Sequence, residues 1–149
     1  MNKLEPSEIE LFLARFNSFY DGLLYDIQVR YGFCAPEDAH MNGLQVTLLL
    51  ATRDLKETKN DGWVCVRLAI QGVQSYCFVQ PRNTNVTVLF YGLRLIQFGG
   101  ALGIELGDLN DPPASEEELT RSTFFVIGTA IDWSLEPYVG RYTFPSKPA

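Results

Sequence analysis

Short runs of alternating apolar and polar residues, each closed by glycine, proline or asparagine, dominate this chain and leave room for only one helix. Alternation at a period of two puts apolar side chains on one face of a strand and polar ones on the other. Leu23, Tyr25, Ile27, Val29 and Tyr31 alternate with Leu24, Asp26, Gln28 and Arg30 after the Asp21-Gly22 turn pair. Leu44, Val46, Leu48 and Leu50 share a face of a second strand. Between Trp63 and Gln71 the same is true of Val64, Val66, Leu68 and Ile70. Gly72 interrupts, and 73–79 continue as strand. Further strands read at 86–91, 93–98 and 101–106, punctuated by Gly92 and Gly99-Gly100. Phe124 to Trp133 is apolar on both faces, the pattern of a strand covered on both sides.

A helical period occurs over 7–17, where Ile9, Phe12, Leu13 and Phe16 make one apolar face. Ser7 reads as its N-cap and Glu10, three residues on, as the other half of a capping box. Ser115 can cap a short helical turn at 115–119. About seven or eight strands at roughly 10–15-residue spacing, with no helical crossover, predict a mainly β fold. We expect an antiparallel sandwich or a strongly curved sheet with one N-terminal helix. The chain of 149 residues suits a single domain, 1–149, with a β core over 22–134 and an irregular proline-bearing tail at 137–149.

Several function classes lose support at once. The formal net charge of −6 disfavours a nucleic-acid surface, which needs clustered Lys and Arg. No apolar run approaches the ~20 residues of a membrane helix, so no membrane contact is expected. The first residues carry no basic segment followed by an apolar one, which points to the cytoplasm. Cys34, Cys65 and Cys77 are an odd, irregularly spaced set, unlike a disulfide framework. Cys65 and Cys77 lie in apolar strands, as small hydrophobes do. His40 is the single histidine, and no Cys pair has zinc spacing, so no metal or cofactor is expected. Cys34 and His40 share a loop, but no third group is placed to orient them as a nucleophile and base. The glycines at 99, 100, 103 and 107 lack the spacing of a phosphate cradle and read as a tight hairpin.

Charge is unevenly spread. No base occurs between Arg94 and Arg121, where Glu105, Asp108, Asp111, Glu116, Glu117 and Glu118 all fall. The plain reading is a solvated, solubilising loop. The functional reading is a negative patch that steers and docks a basic protein. Aromatics offer a different site: Tyr25, Tyr31, Trp63, Tyr76, Phe78 and Trp133 could line a pocket in a curved sheet, or simply fill the core.

The stretch from Phe16 through Tyr20-Asp21-Gly22 to Ile27 resembles an opening found in small bacterial β-rich proteins. There an aromatic, an Asp and a Gly or Ser lead into a first strand. Phe124-Phe125-Val126-Ile127-Gly128, through Ile131-Asp132-Trp133, is similar to their closing strand. Several such proteins are grouped with the immunity proteins of bacterial toxin systems. The resemblance implies the fold class and transfers no catalytic residue. The expectation is therefore a non-enzymatic protein that binds another, basic protein, with toxin neutralisation as one form of that role. A small-molecule binder is the alternative, and a homodimer is compatible with either.

Overall fold

The alternating segments pair as antiparallel strands in a computed structural model of the chain, which describes residues 1–32, 43–79, 88–106, 109–138 and 140. One sheet has six strands in the order β1-β10-β4-β3-β2-β6. These are β1 (Asn2–Lys3), β2 (Gly22–Tyr31), β3 (Leu44–Arg53), β4 (Trp63–Gln71), β6 (Val88–Leu89) and β10 (Ala130–Glu136). The other has four in the order β5-β9-β8-β7, namely β5 (Ser75–Phe78), β7 (Arg94–Phe98), β8 (Ala101–Glu105) and β9 (Phe124–Gly128). Helix α1 spans Ile9–Arg15 and the single turn α2 spans Glu116–Leu119. The two sheets are separate and face each other, so the expected sandwich holds and the single strongly curved sheet does not.

The facing surfaces are the apolar stripes read from the sequence. Val46, Leu48 and Leu50 of β3 and Val64, Val66, Leu68 and Ile70 of β4 pack against Leu102, Ile104, Phe124 and Val126 of the smaller sheet. The smaller sheet leaves part of this surface uncovered. There α1 and the turn at 17–19 take over, with Phe12 and Phe16 rings 5.2 and 5.8 Å from Trp133. The opposite face of β9, bearing Phe125 and Ile127, lies under Leu119 of α2. That second cover accounts for the two apolar faces of 124–128.

Three local readings are corrected. The run Phe124 to Trp133 is two strands: β9 belongs to the small sheet and β10 to the large one. The chain changes sheets at Gly128-Thr129, beside Gly72, where β4 gives way to β5. The Thr129 amide donates to the Gln71 carbonyl at 2.9 Å, and a Cβ on Gly128 would lie 2.6 Å from the same oxygen. A β-bulge between Leu24 and Asp26 shifts the alternation in β2. Leu24 and Ile27 therefore sit opposite the core residues Leu50 and Leu48, and Tyr25 is displaced from that face. Finally, the capping box is formed by Glu5 and Glu8, not Ser7 and Glu10. Pro6 is pre-set for the first position of a helical turn, so the turn begins one residue before Ser7.

Helix α1 is tied to the end of β3 by an ion pair. Arg15 donates through Nε and Nη2 to the two carboxylate oxygens of Asp54 at 3.0 and 2.7 Å. Asp54 is almost fully buried, and these bonds hold its carboxyl below the usual carboxylate range. A carboxyl depressed by folding stabilises the protein above its unfolded pKa and loses that contribution as pH falls through the folded one. Urea unfolding between pH 7 and pH 2 should show this loss below about pH 4. D54N should cost about 2 kcal/mol at pH 7 and flatten the acid limb. An acid limb unchanged in D54N would assign the loss to other carboxylates.

Candidate functional site

The link from α1 into β2 is built on unusual backbone. Asn17, Ser18, Phe19 and Asp21 have φ of 50, 50, 59 and 56°, in the left-handed region that non-glycine residues seldom occupy. Phe19 is fully buried among Phe12 and Phe16, and that burial offsets the strain. A second turn, 89–92, locks against this elbow. Leu93 N donates to Ser18 O at 2.9 Å, and Asp21 N to Leu89 O at 3.0 Å. The elbow and the turn between them hold three large aromatics in solvent: Tyr20 is 54% exposed, Phe90 66% and Tyr91 43%. Asp21 is exposed beside them. Large exposed aromatics are among the side chains enriched where proteins dock on one another.

Arg94 joins this aromatic turn to the acidic segment. Its guanidinium carbon lies 5.8 Å from the Tyr91 ring centroid. Its N–H groups donate to the carbonyls of Leu109, Asn110 and Asp111 at 2.7, 3.2 and 3.0 Å. Beneath it stands Glu105, whose side chain is wholly buried, with Arg94 Nη1 3.4 Å from Oε2. Glu105 Oε1 also accepts from Leu109 N and from Ser122 Oγ, each at 3.1 Å. Such donors and a counter-charge offset the hydration that a carboxylate loses on burial. Past residue 111 the chain enters α2, where the Ser115 hydroxyl accepts from Glu118 N at 3.2 Å and the Glu118 carboxylate from Ala114 N at 2.7 Å.

The six acids expected on one docking surface therefore divide. Glu105 is corrected: it is a buried partner of Arg94 and cannot touch another protein. Asp108 lies outside the described residues. Asp111, Glu116, Glu117 and Glu118 are exposed, and Glu118 also caps α2. Arg121 answers Glu117 across one helical turn at 3.4 Å, both largely exposed, a pairing worth little in water.

The six aromatics expected to line one pocket do not converge. The Tyr25 hydroxyl donates to Gly140 O at 2.6 Å, and burial pushes it up to about 12. Trp63 stacks on Tyr138, with centroids 6.0 Å apart. Tyr31 stands in solvent at the end of β2. Tyr76 lies beside Phe78, which packs on Phe124 in the core. Trp133 lines a groove on the α1 side. Sequence reasoning missed Tyr20, Phe90 and Tyr91, because reading 86–91 as one strand gave the last two alternate faces and not a turn. The signal available was the aromatic pair standing directly before Gly92.

What the site offers chemically is aromatic faces next to carboxylates, a surface that takes up ammonium and guanidinium groups. Among the described residues no three His, Cys, Asp or Glu side chains are gathered to hold a metal ion, and no helix is long and apolar enough to cross a membrane. Cys34 and His40 lie outside the described residues. Comparison of the chain with protein-family models, curated proteins and solved structures gives no match.

Proposed function

We propose that this chain is a non-enzymatic protein-binding domain whose partner is basic. Its docking face is formed by Tyr20, Phe90 and Tyr91 together with Asp21, Asp111, Glu116 and Glu117. One observation carries the reading: Arg94 fastens the exposed aromatic turn to the start of the acidic segment, which supports taking anchors and charges together as one docking face. Glu105 neutralises Arg94 from beneath, so the surface presented to a partner stays acidic. A toxin-neutralising role of the immunity type is one form of such a function, and the resemblance of the opening and closing strands supports it.

The test is capture of partners on the immobilised chain at low salt, elution in a salt gradient, and repetition with two sets of variants. F90A and Y91A should each weaken the captured complex by about 2 kcal/mol, mostly through faster dissociation. E116Q/E117Q should slow association and flatten the salt dependence. A captured protein that is acidic, or one that binds both sets like the wild type, would overturn the proposal.

A further inference from the structure

A second surface, remote in sequence from the acidic segment, has a different chemistry. An open groove of about 1030 Å³ runs between β1, α1 and the Leu55-Lys56 segment. Phe12 and Trp133 form its floor, fixed by edge-on packing with centroids 5.2 Å apart. Three aliphatic side chains line it while standing mostly in water: Met1 is 67% exposed, Leu11 75% and Leu55 74%. Isolated exposed aliphatics are ordinary, but several around one aromatic-floored concavity make a binding surface.

The charges lining the groove are oriented. Lys3, Arg15 and Lys56 line it, with Glu8 as the one acid among the lining residues. The Glu8 carboxylate is turned to the Glu5 amide at 3.2 Å. Asp54 grips Arg15, and Glu5 meets Lys3 at 3.2 Å, yet neither acid lines the groove. Each ion pair thus contributes its cation, and not its anion, to the lining of the groove. Arg15 also lies over Trp133, its guanidinium carbon 5.6 Å from the ring centroid, so cation and apolar floor are contiguous. An apolar floor with a cationic rim is complementary to one molecule carrying both an apolar chain and a negative head.

We propose that this groove is a binding site for a monomeric amphiphilic anion, a single-chain carboxylate whose alkyl chain lies over Trp133 and whose head meets Lys56 and Arg15. The probe is dodecanoate, titrated into the whole chain below its micelle concentration and followed by calorimetry and tryptophan fluorescence. Saturable binding is expected, with a change in emission that persists in W63F and so reports Trp133. L11D and K56E alter exposed side chains, and each should weaken binding about tenfold or more. Dodecanol, with the same chain and no charge, should bind more weakly than dodecanoate by a similar factor. E116Q/E117Q should leave dodecanoate binding unchanged, which separates this site from the protein-docking face. Absence of saturable heat and fluorescence change would overturn the proposal. So would equal affinity for dodecanol, or wild-type affinity in K56E. Binding to phosphatidylglycerol vesicles without binding of the monomer would overturn it in favour of a membrane-contact patch.

Discussion

Replacing Gly92 with alanine is expected to lower the free energy of unfolding by about 3 kcal/mol or more, with a clear fall in the urea midpoint. Two costs combine there. Gly92 has φ of +73°, where an L side chain costs about 1–2 kcal/mol. A Cβ at that position would also collide with the Ser18 carbonyl oxygen. That oxygen cannot retreat easily, because it accepts from Leu93 N and belongs to a residue itself held at φ 50°. Two other glycines separate the costs. Gly99 has φ of +58° with nothing within 4 Å of its added Cβ, so G99A isolates the backbone cost, about 1 kcal/mol. Gly128 has no positive φ, but its Cβ would meet Gln71 O at 2.6 Å, so G128A isolates the steric cost. The expected order of damage is G92A, then G128A, then G99A. If G92A proves no worse than G99A, the elbow and the turn are not locked together. The shared footing of Tyr20, Phe90 and Tyr91 would then be lost as well.

The parts of the fold written in local pattern were legible, and those set by distant cover were not. Strands β3 and β4 follow directly from Val46 to Leu50 and Val64 to Ile70, since period-two alternation has one physical reading at that length. The corner at Gly128-Thr129 was hidden because Phe124 to Gly128 is apolar on both faces, and that pattern does not say whether the strand runs on or turns into the other sheet. The bulge at Tyr25 leaves no residue of its own to announce it. Glu105 is the instructive site residue. It occupies the polar phase of β8, next to Ile104, which locally suggests water. Whether that phase meets water depends on residues 109–122 folding over it. One clue was nonetheless present. Counting outward from the Gly99-Gly100 turn pairs Phe98 with Ala101 and therefore Arg94 with Glu105, as the hairpin register has it. Taken with its strand partner, Arg94 ceases to be the boundary of a base-free stretch and becomes its anchor.

Substitution of Arg94 by lysine tests that anchoring, and the two views of the acidic face differ in the result they require. If only net charge attracts a basic partner, R94K leaves the formal charge at −6 and binding unchanged. If Arg94 acts by geometry, R94K weakens binding. A lysine ammonium is a point charge that cannot reproduce a planar fork over the carbonyls of Leu109, Asn110 and Asp111. We expect the second outcome, with faster hydrogen exchange at Leu109, whose amide donates to Glu105. R94A should be far more costly, by about 3 kcal/mol, because it takes the Arg94 counter-charge from a carboxylate in a site with no exposure. Pure electrostatics gives R94A the opposite effect on binding, since a lost base makes the surface more acidic and attraction to a basic partner stronger. Weaker binding by R94K and R94A, with the larger loss in R94A, assigns the face to its scaffold. Wild-type exchange and binding in R94K would mean that net charge alone attracts the partner and that Arg94 does not anchor the acidic segment.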